Sequence, residues 1–153
     1  MKSVELTVED VTAAHVLLSE AKYQKLSDED KIRVWKISRK LCPVVEKYKS
    51  DIDDAKAKLI PSEDYPARVQ TALQYQNIKE AGGDDLPMSE EEYKKTVAEW
   101  NSYNSLLNKA LKDIADEKVS FEIDPITEDA FGKLMASNDW SFAQVGKLEF
   151  MIV

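Results

Sequence analysis

Few residues in this chain have the type and spacing that chemistry demands. His15 is the sole histidine and Cys42 the sole cysteine among 153 residues. A ferritin-like dimetal site needs Glu-x-x-His on two helices, and a structural zinc site needs four thiolate or imidazole ligands. Neither can be assembled here, and His15 has no cysteine or carboxylate at ligand spacing. No Gly-rich phosphate loop, Cys-x-x-Cys or Gly-x-Ser-x-Gly occurs. The run Gly82-Gly83-Asp84-Asp85 reads as a loop rather than a metal site, and Cys42 reads as a small core residue rather than a nucleophile. No catalytic residue, metal or cofactor is expected.

Recognition chemistry is better represented. Residues 31–49 carry Lys31, Arg33, Lys36, Arg39, Lys40, Lys47 and Lys49 against Glu46, a balance of +6 in a chain of net charge −8. Arg33, Lys36 and Lys40 form a basic face that would attract an acidic partner, although such a stripe is often only a solvated helix surface. Trp140 and Phe142 lie outside any helical seam and are candidate anchors, because large aromatics carry much of the energy at binding hot spots. Core burial is the competing reading of Trp140. Trp35, Tyr48 and Trp100 fall at seam spacing and are expected in the core.

The elements that position these residues follow from periodicity. Ser27 precedes Asp28, Glu29 and Asp30, an N-cap with acids in the first turn. Val34, Ile37, Leu41, Val44, Tyr48, Ile52, Ala55 and Leu59 then repeat at three and four residues, giving a long helix over 28–60. Pro43 interrupts it, but the seam keeps phase, so one continuous, kinked helix is expected. Ser89 opens a second long helix over 89–117, with Ser89-x-x-Glu92 as a capping box and Tyr93, Val97, Trp100, Asn104, Leu107, Leu111 and Ile114 as a heptad seam. Residues 61–88 are a connection with its own short helix.

Laid antiparallel with Ile60 beside Ser89, the two long helices would set Val97 against Ile52, Trp100 against Tyr48, Leu107 against Leu41 or Cys42, and Ile114 against Trp35. Asp113, Asp116 and Glu117 would then lie near Lys31, Arg33 and Lys36. Beyond the second helix the period changes. Val119, Phe121 and Ile123 alternate with polar residues, as do Val4, Leu6 and Val8, and each strand needs the other as a partner. Pro125 stops the later strand, Thr127 caps a short helix, and Asn138, Asp139 or Ser141 starts another. The apolar ending Leu148–Val153 must be covered, as a third strand or a plug. The expected fold is mainly α: one domain over 1–153, a long antiparallel helical hairpin, additional short helices, and a small β cap formed by the N-terminal and C-terminal segments (119–153).

The totals agree with a globular domain: 43% hydrophobic, 33% charged, four glycines. Acidic balance disfavours direct nucleic-acid binding, no apolar run approaches the roughly 20 residues that span a bilayer, and the opening "MKSVELTVED" has no apolar h-region, so no secretory signal is expected there. A lone cysteine fits a reducing, cytoplasmic compartment.

"VLLSEAKYQKLSDEDKIRVWKISRKL", "AKAKLI", "YNSLLNKALKDI" and the ending "VSFEIDPIT…GKLEFMIV" together resemble a family of short helical proteins of unknown function encoded in tailed phages and prophages. The resemblance covers most of the chain, and its most specific part is the ending. It implies a phage- or prophage-derived accessory protein and assigns no catalytic residue. The expected function is therefore non-enzymatic, acting through a protein partner, with particle assembly as one step it would serve. Self-association is compatible with the pattern. Two other readings are an acidic mimic that occupies a nucleic-acid-binding protein, against which the basic face speaks, and a small enzyme with an unrecognised site.

Overall fold

The computed structural model describes residues 1–153. The elements run β1 (Lys2–Thr7), α1 (Val8–Glu20), α2 (Asp28–Leu59), α3 (Tyr65–Glu80), α4 (Glu90–Asp116), β2 (Lys118–Ile123), α5 (Glu128–Ala136) and α6 (Phe142–Leu148), followed by a 3-10 turn, Glu149–Met151. The fold is mainly α with one two-stranded antiparallel sheet. The contacts group into two compact units, Met1–Asp51 with Asp113–Val153, and Ile52–Lys112.

In the first unit the alternating segments pair as expected, Val4 opposite Phe121 and Leu6 opposite Val119. The Val8 N–H donates to the Glu117 carbonyl at 2.8 Å, extending the ladder to the point where α4 ends. Thr127 accepts from the Ala130 N–H and caps α5, and Ser141 forms a full capping box with Gln144 on α6. The apolar ending is a plug rather than a strand. Leu148 and Met151 are fully buried, and a single parallel bridge joins Ile152 to Ile126. These residues share one core with Val11, Leu18, Val34, Ile37, Leu41, Ile123 and Leu134. Helix α2 is continuous through Pro43, which is exposed.

The register proposed for the two long helices is corrected in this unit. Ile114 and Glu117 lie with Val44, Lys47, Tyr48 and Asp51 around a small cavity of about 150 Å³, not with Trp35. The reason is competition. The first half of the α2 seam, Val34 to Val45, is already buried in the core built with α1, α5 and the plug, and β2 must begin beside β1. Trp35 points outward and is 55% exposed.

In the second unit the segment expected as a connection is the packing partner of α4. Tyr75 stacks on Tyr93 with ring centroids 4.3 Å apart, and Tyr65 tilts against Tyr103 at 5.5 Å. Arg68 reaches Glu99 at 2.8 Å between them. Descending numbers on α4 meet ascending numbers on α3, so this is an antiparallel pair. Val97 lines a groove with Val69 and Leu73 of α3. Helix α4 therefore meets α3 along Tyr93, Val97 and Tyr103 and meets α2 at Ile114. Only Tyr65, Ala72, Tyr75 and Thr96 of this unit are buried, and Trp100 remains 48% exposed. At the start of α4, Ser89 accepts from the Glu92 N–H, the first half of the expected box.

Candidate partner-binding surfaces

The basic face is less bare than its sequence implies. Arg33 reaches Glu29 at 2.8 Å and Asp124 at 3.4 Å, and Lys31 pairs with Asp28. These acids come from the first turn of α2 and from just beyond β2, not from Asp113, Asp116 and Glu117; the correction follows from the changed register. Lys40 donates to the main-chain carbonyl of Glu122, so its ammonium closes the outer edge of β2. Lys36 is exposed and has no carboxylate within ion-pair distance. Arg39 stacks its guanidinium over Trp35, 4.8 Å from the ring centroid. Ile32, Trp35, Lys36 and Arg39 stand at helical spacing, so α2 presents an apolar and cationic strip.

Trp140 and Phe142 separate in role. Trp140 is half-buried against the core of the first unit, whereas Phe142, the first residue of α6, is 97% exposed. Their segment is held by Asn138, whose side chain accepts from the Lys22 N–H at 2.9 Å and donates to the Lys22 carbonyl at 3.0 Å and the Leu134 carbonyl at 2.8 Å. No ion pair, hydrogen bond or aromatic contact joins Trp140 or Phe142 to Arg33, Lys36 or Lys40. The five candidates make two surfaces rather than one.

Two features of the second unit escaped the sequence reading. An apolar groove of about 290 Å³ runs between α3 and α4, lined by Val69, Leu73, Tyr93, Val97 and Trp100. Part of its signal is present in the sequence: the α3 wall lies within residues 69–78, which contain no charged residue in a chain where a third of all residues are charged. A more polar cleft of about 580 Å³ is lined by Asp64, Arg68, Glu92, Lys95 and Glu99. Arg68 bridges Asp64 at 3.1 Å and Glu99 at 2.8 Å. The Ser62 hydroxyl holds the Asp64 carboxyl below its ordinary range, and burial pushes the Tyr65 phenol up. The Tyr65 hydroxyl is buried without a hydrogen-bond partner.

No cluster of three or more His, Cys, Asp or Glu side chains is arranged to hold a metal ion. Cys42 is a half-buried free thiol beside Glu46, and His15 is half-buried on α1. No helix is long and apolar enough to cross a membrane. Compared with known proteins, the chain matches no family model, no curated protein and no solved structure.

Proposed function

We propose that this chain is a phage- or prophage-derived accessory protein without catalytic activity, which works by binding an acidic protein partner along the exposed strip of α2. One observation carries the reading. Trp35, 55% exposed, stands beside Ile32 with Arg39 stacked on its ring, while Lys36 has no ionic partner. An exposed Trp next to uncompensated cations joins the two requirements of a charge-steered interface: an apolar anchor, and a field that raises the association rate. The phage origin rests on the sequence resemblance alone, whose most specific part is the ending "EIDPI…LEFMI".

Capture from prophage-induced cells, followed by titration of the captured protein against pure chain, tests this. Trp35→Ala should raise the dissociation rate, Lys36→Glu should lower the association rate, and added salt should weaken binding. A partner bound equally by both variants and insensitive to salt would remove the strip from the interface.

A further inference from the structure

We infer that the free edge of β1 is a docking site for an extended peptide segment of a partner protein, which adds as a third strand and sets its alternate side chains in the groove between β1 and α6. The first ground is the direction of the backbone groups. The Val8 N–H donates to the Glu117 carbonyl, and the register pairs Leu6 with Val119, Val4 with Phe121 and Lys2 with Ile123. Hydrogen-bonded pairs alternate in an antiparallel ladder, so Lys2, Val4 and Leu6 bond to β2, while Ser3 and Glu5 turn their N–H and C=O groups away from it. The Glu122 carbonyl, opposite Ser3, obeys the same alternation by pointing outward to Lys40. That ammonium closes the β2 edge. No hydrogen bond closes the β1 edge, where Ser3 and Glu5 are exposed.

The second ground is the space beside that edge. A groove of about 790 Å³ is lined by Lys2 and Leu6 of β1 and, across from them, by Ala143 and Gly146 of α6 and by Ile152 and Val153. No residue of β2 lines it, so it lies where the inward side chains of a strand added to β1 would fall. The small residues of α6 leave that room: a Cβ at Gly146 would meet nothing within 4 Å. Lys2, bonded to the Phe150 and Ile152 carbonyls, stands at one end, and the Asp10–Lys147 pair stands at the other. Between them β1 offers six residues, about 20 Å of edge at ~3.4 Å per residue.

These features specify the occupant. Alternating donors and acceptors along an edge are matched in full only by another extended backbone. The cations of the groove are already engaged by Asp10 and by main-chain carbonyls, so its walls favour apolar side chains such as valine and isoleucine. On the outer face Glu5 and Glu122 outnumber Lys118, which favours a lysine or arginine on the segment beside Glu5. A second β1 is the poorer occupant. Its Lys2 is tied to its own C-terminal carbonyls and its Val4 is buried in its own core, leaving only Leu6 to enter a groove. The site contains no residue of the α2 strip, so this inference and the proposed function can fail separately.

Titration of the pure chain with an end-capped hexapeptide that alternates valine with threonine and lysine, read by amide hydrogen exchange, is the test. Exchange at Ser3 and Glu5 should slow as the peptide saturates, while Val4 and Leu6, already bonded to β2, should not change. Ser3→Pro removes a donor that faces the open edge and none that faces β2. It should weaken binding about five- to tenfold, the worth of one net hydrogen bond, with the melting temperature kept. Gly146→Leu should fill the groove and weaken binding at least as much. N-methylation of the peptide at alternate amides needs no variant: one of the two sets should abolish binding and the other should not. No binding up to millimolar peptide, binding without slower exchange at Ser3 and Glu5, or equal binding by both N-methylated sets overturns the inference. Exchange at these two amides that slows with protein concentration alone overturns it too, in favour of a second copy.

Discussion

The Lys2 ammonium donates to the main-chain carbonyl of Ile152 at 2.7 Å and to that of Phe150 at 3.1 Å, joining the first strand to the last residues of the chain. Through this contact and the bridge at Ile126, the short 3-10 turn and the residues after it become part of the first unit's core. The consequence for stability is direct. Leu148 and Met151 are fully buried, whereas Val153, two residues beyond Met151, is exposed. Leu148→Ala and Met151→Ala should each cost about 2–5 kcal/mol in urea unfolding, and Val153→Ala less than about 0.5 kcal/mol. Equal midpoints for the three variants would mean that the plug is not core.

The aromatic ladder between α3 and α4 should show coupling. Tyr75 and Tyr93 are nearly parallel, with ring planes 18° apart at 4.3 Å. A double-mutant cycle with Tyr75→Leu and Tyr93→Leu should yield about 0.5–1.5 kcal/mol of interaction, the range for aromatic pairs beyond their area. Trp35 and Arg39 form the contrasting case on an exposed helix face, where a cation–π contact is worth about 0.5–1 kcal/mol. A Tyr75–Tyr93 coupling near zero would contradict the pairing of α3 with α4.

How much of this was legible in the sequence depends on where neighbours were local. The alternating periods of the two strands, the caps at Ser27 and Thr127, and the unbroken α2 were readable from residues near in sequence, while the start of α6 was narrowed only to Asn138, Asp139 or Ser141, of which Ser141 is the cap. The contact of α4 with α3 was not. The heptad stripe of α4 states which face is buried but not by what, and α3 offered an equally good but shorter stripe. Charge complementarity between the flanks of the long helices pointed the wrong way, since exposed pairs are worth ~0–1 kcal/mol and do not decide packing. Trp35 and Trp100 were misplaced for the related reason that seam spacing does not guarantee a covering element. Lys36 and Phe142 are exposed as a binding role requires; Arg33 and Lys40 turn out to be engaged with Asp124 and Glu122, at a sequence separation no local pattern reveals.

Pro43 should be dispensable. It lies inside α2, exposed, where it removes a backbone donor and crowds the carbonyl of Arg39. Pro43→Ala restores the missing hydrogen bond and should raise stability by about 1–3 kcal/mol, read as a higher melting temperature with more helical circular dichroism. An unchanged or lower melting temperature would show that a bend at this position is needed to fit α2 against the core.

The contact between Asp10 on α1 and Lys147 on α6, 2.5 Å long, should make stability depend on pH at both extremes. The hydrogen bond from Lys147 is the main cause that holds the Asp10 carboxyl below its ordinary 3.8, and the Asp10 carboxylate raises the Lys147 ammonium above 10.5. A depressed acid contributes stability that is complete above its unfolded value and is lost as pH falls through the folded one. A raised base contributes stability that is complete below its unfolded value and is lost as pH rises through the folded one. The pair therefore stabilises the fold from about pH 4 to about pH 10, and both groups are accessible enough to water that its worth stays below about 1 kcal/mol. Lys147→Met should lower the melting temperature by a small constant amount across that window. The gap between variant and wild type should close below pH 4, as Asp10 takes up its proton, and again above pH 10.5, as Lys147 loses its own. High salt should narrow the gap at neutral pH, because the pair is partly solvated. A gap that persists unchanged at pH 2.5, with both proteins still folded, would show that Lys147 acts through the packing of its methylene stem on α1 and not through its charge.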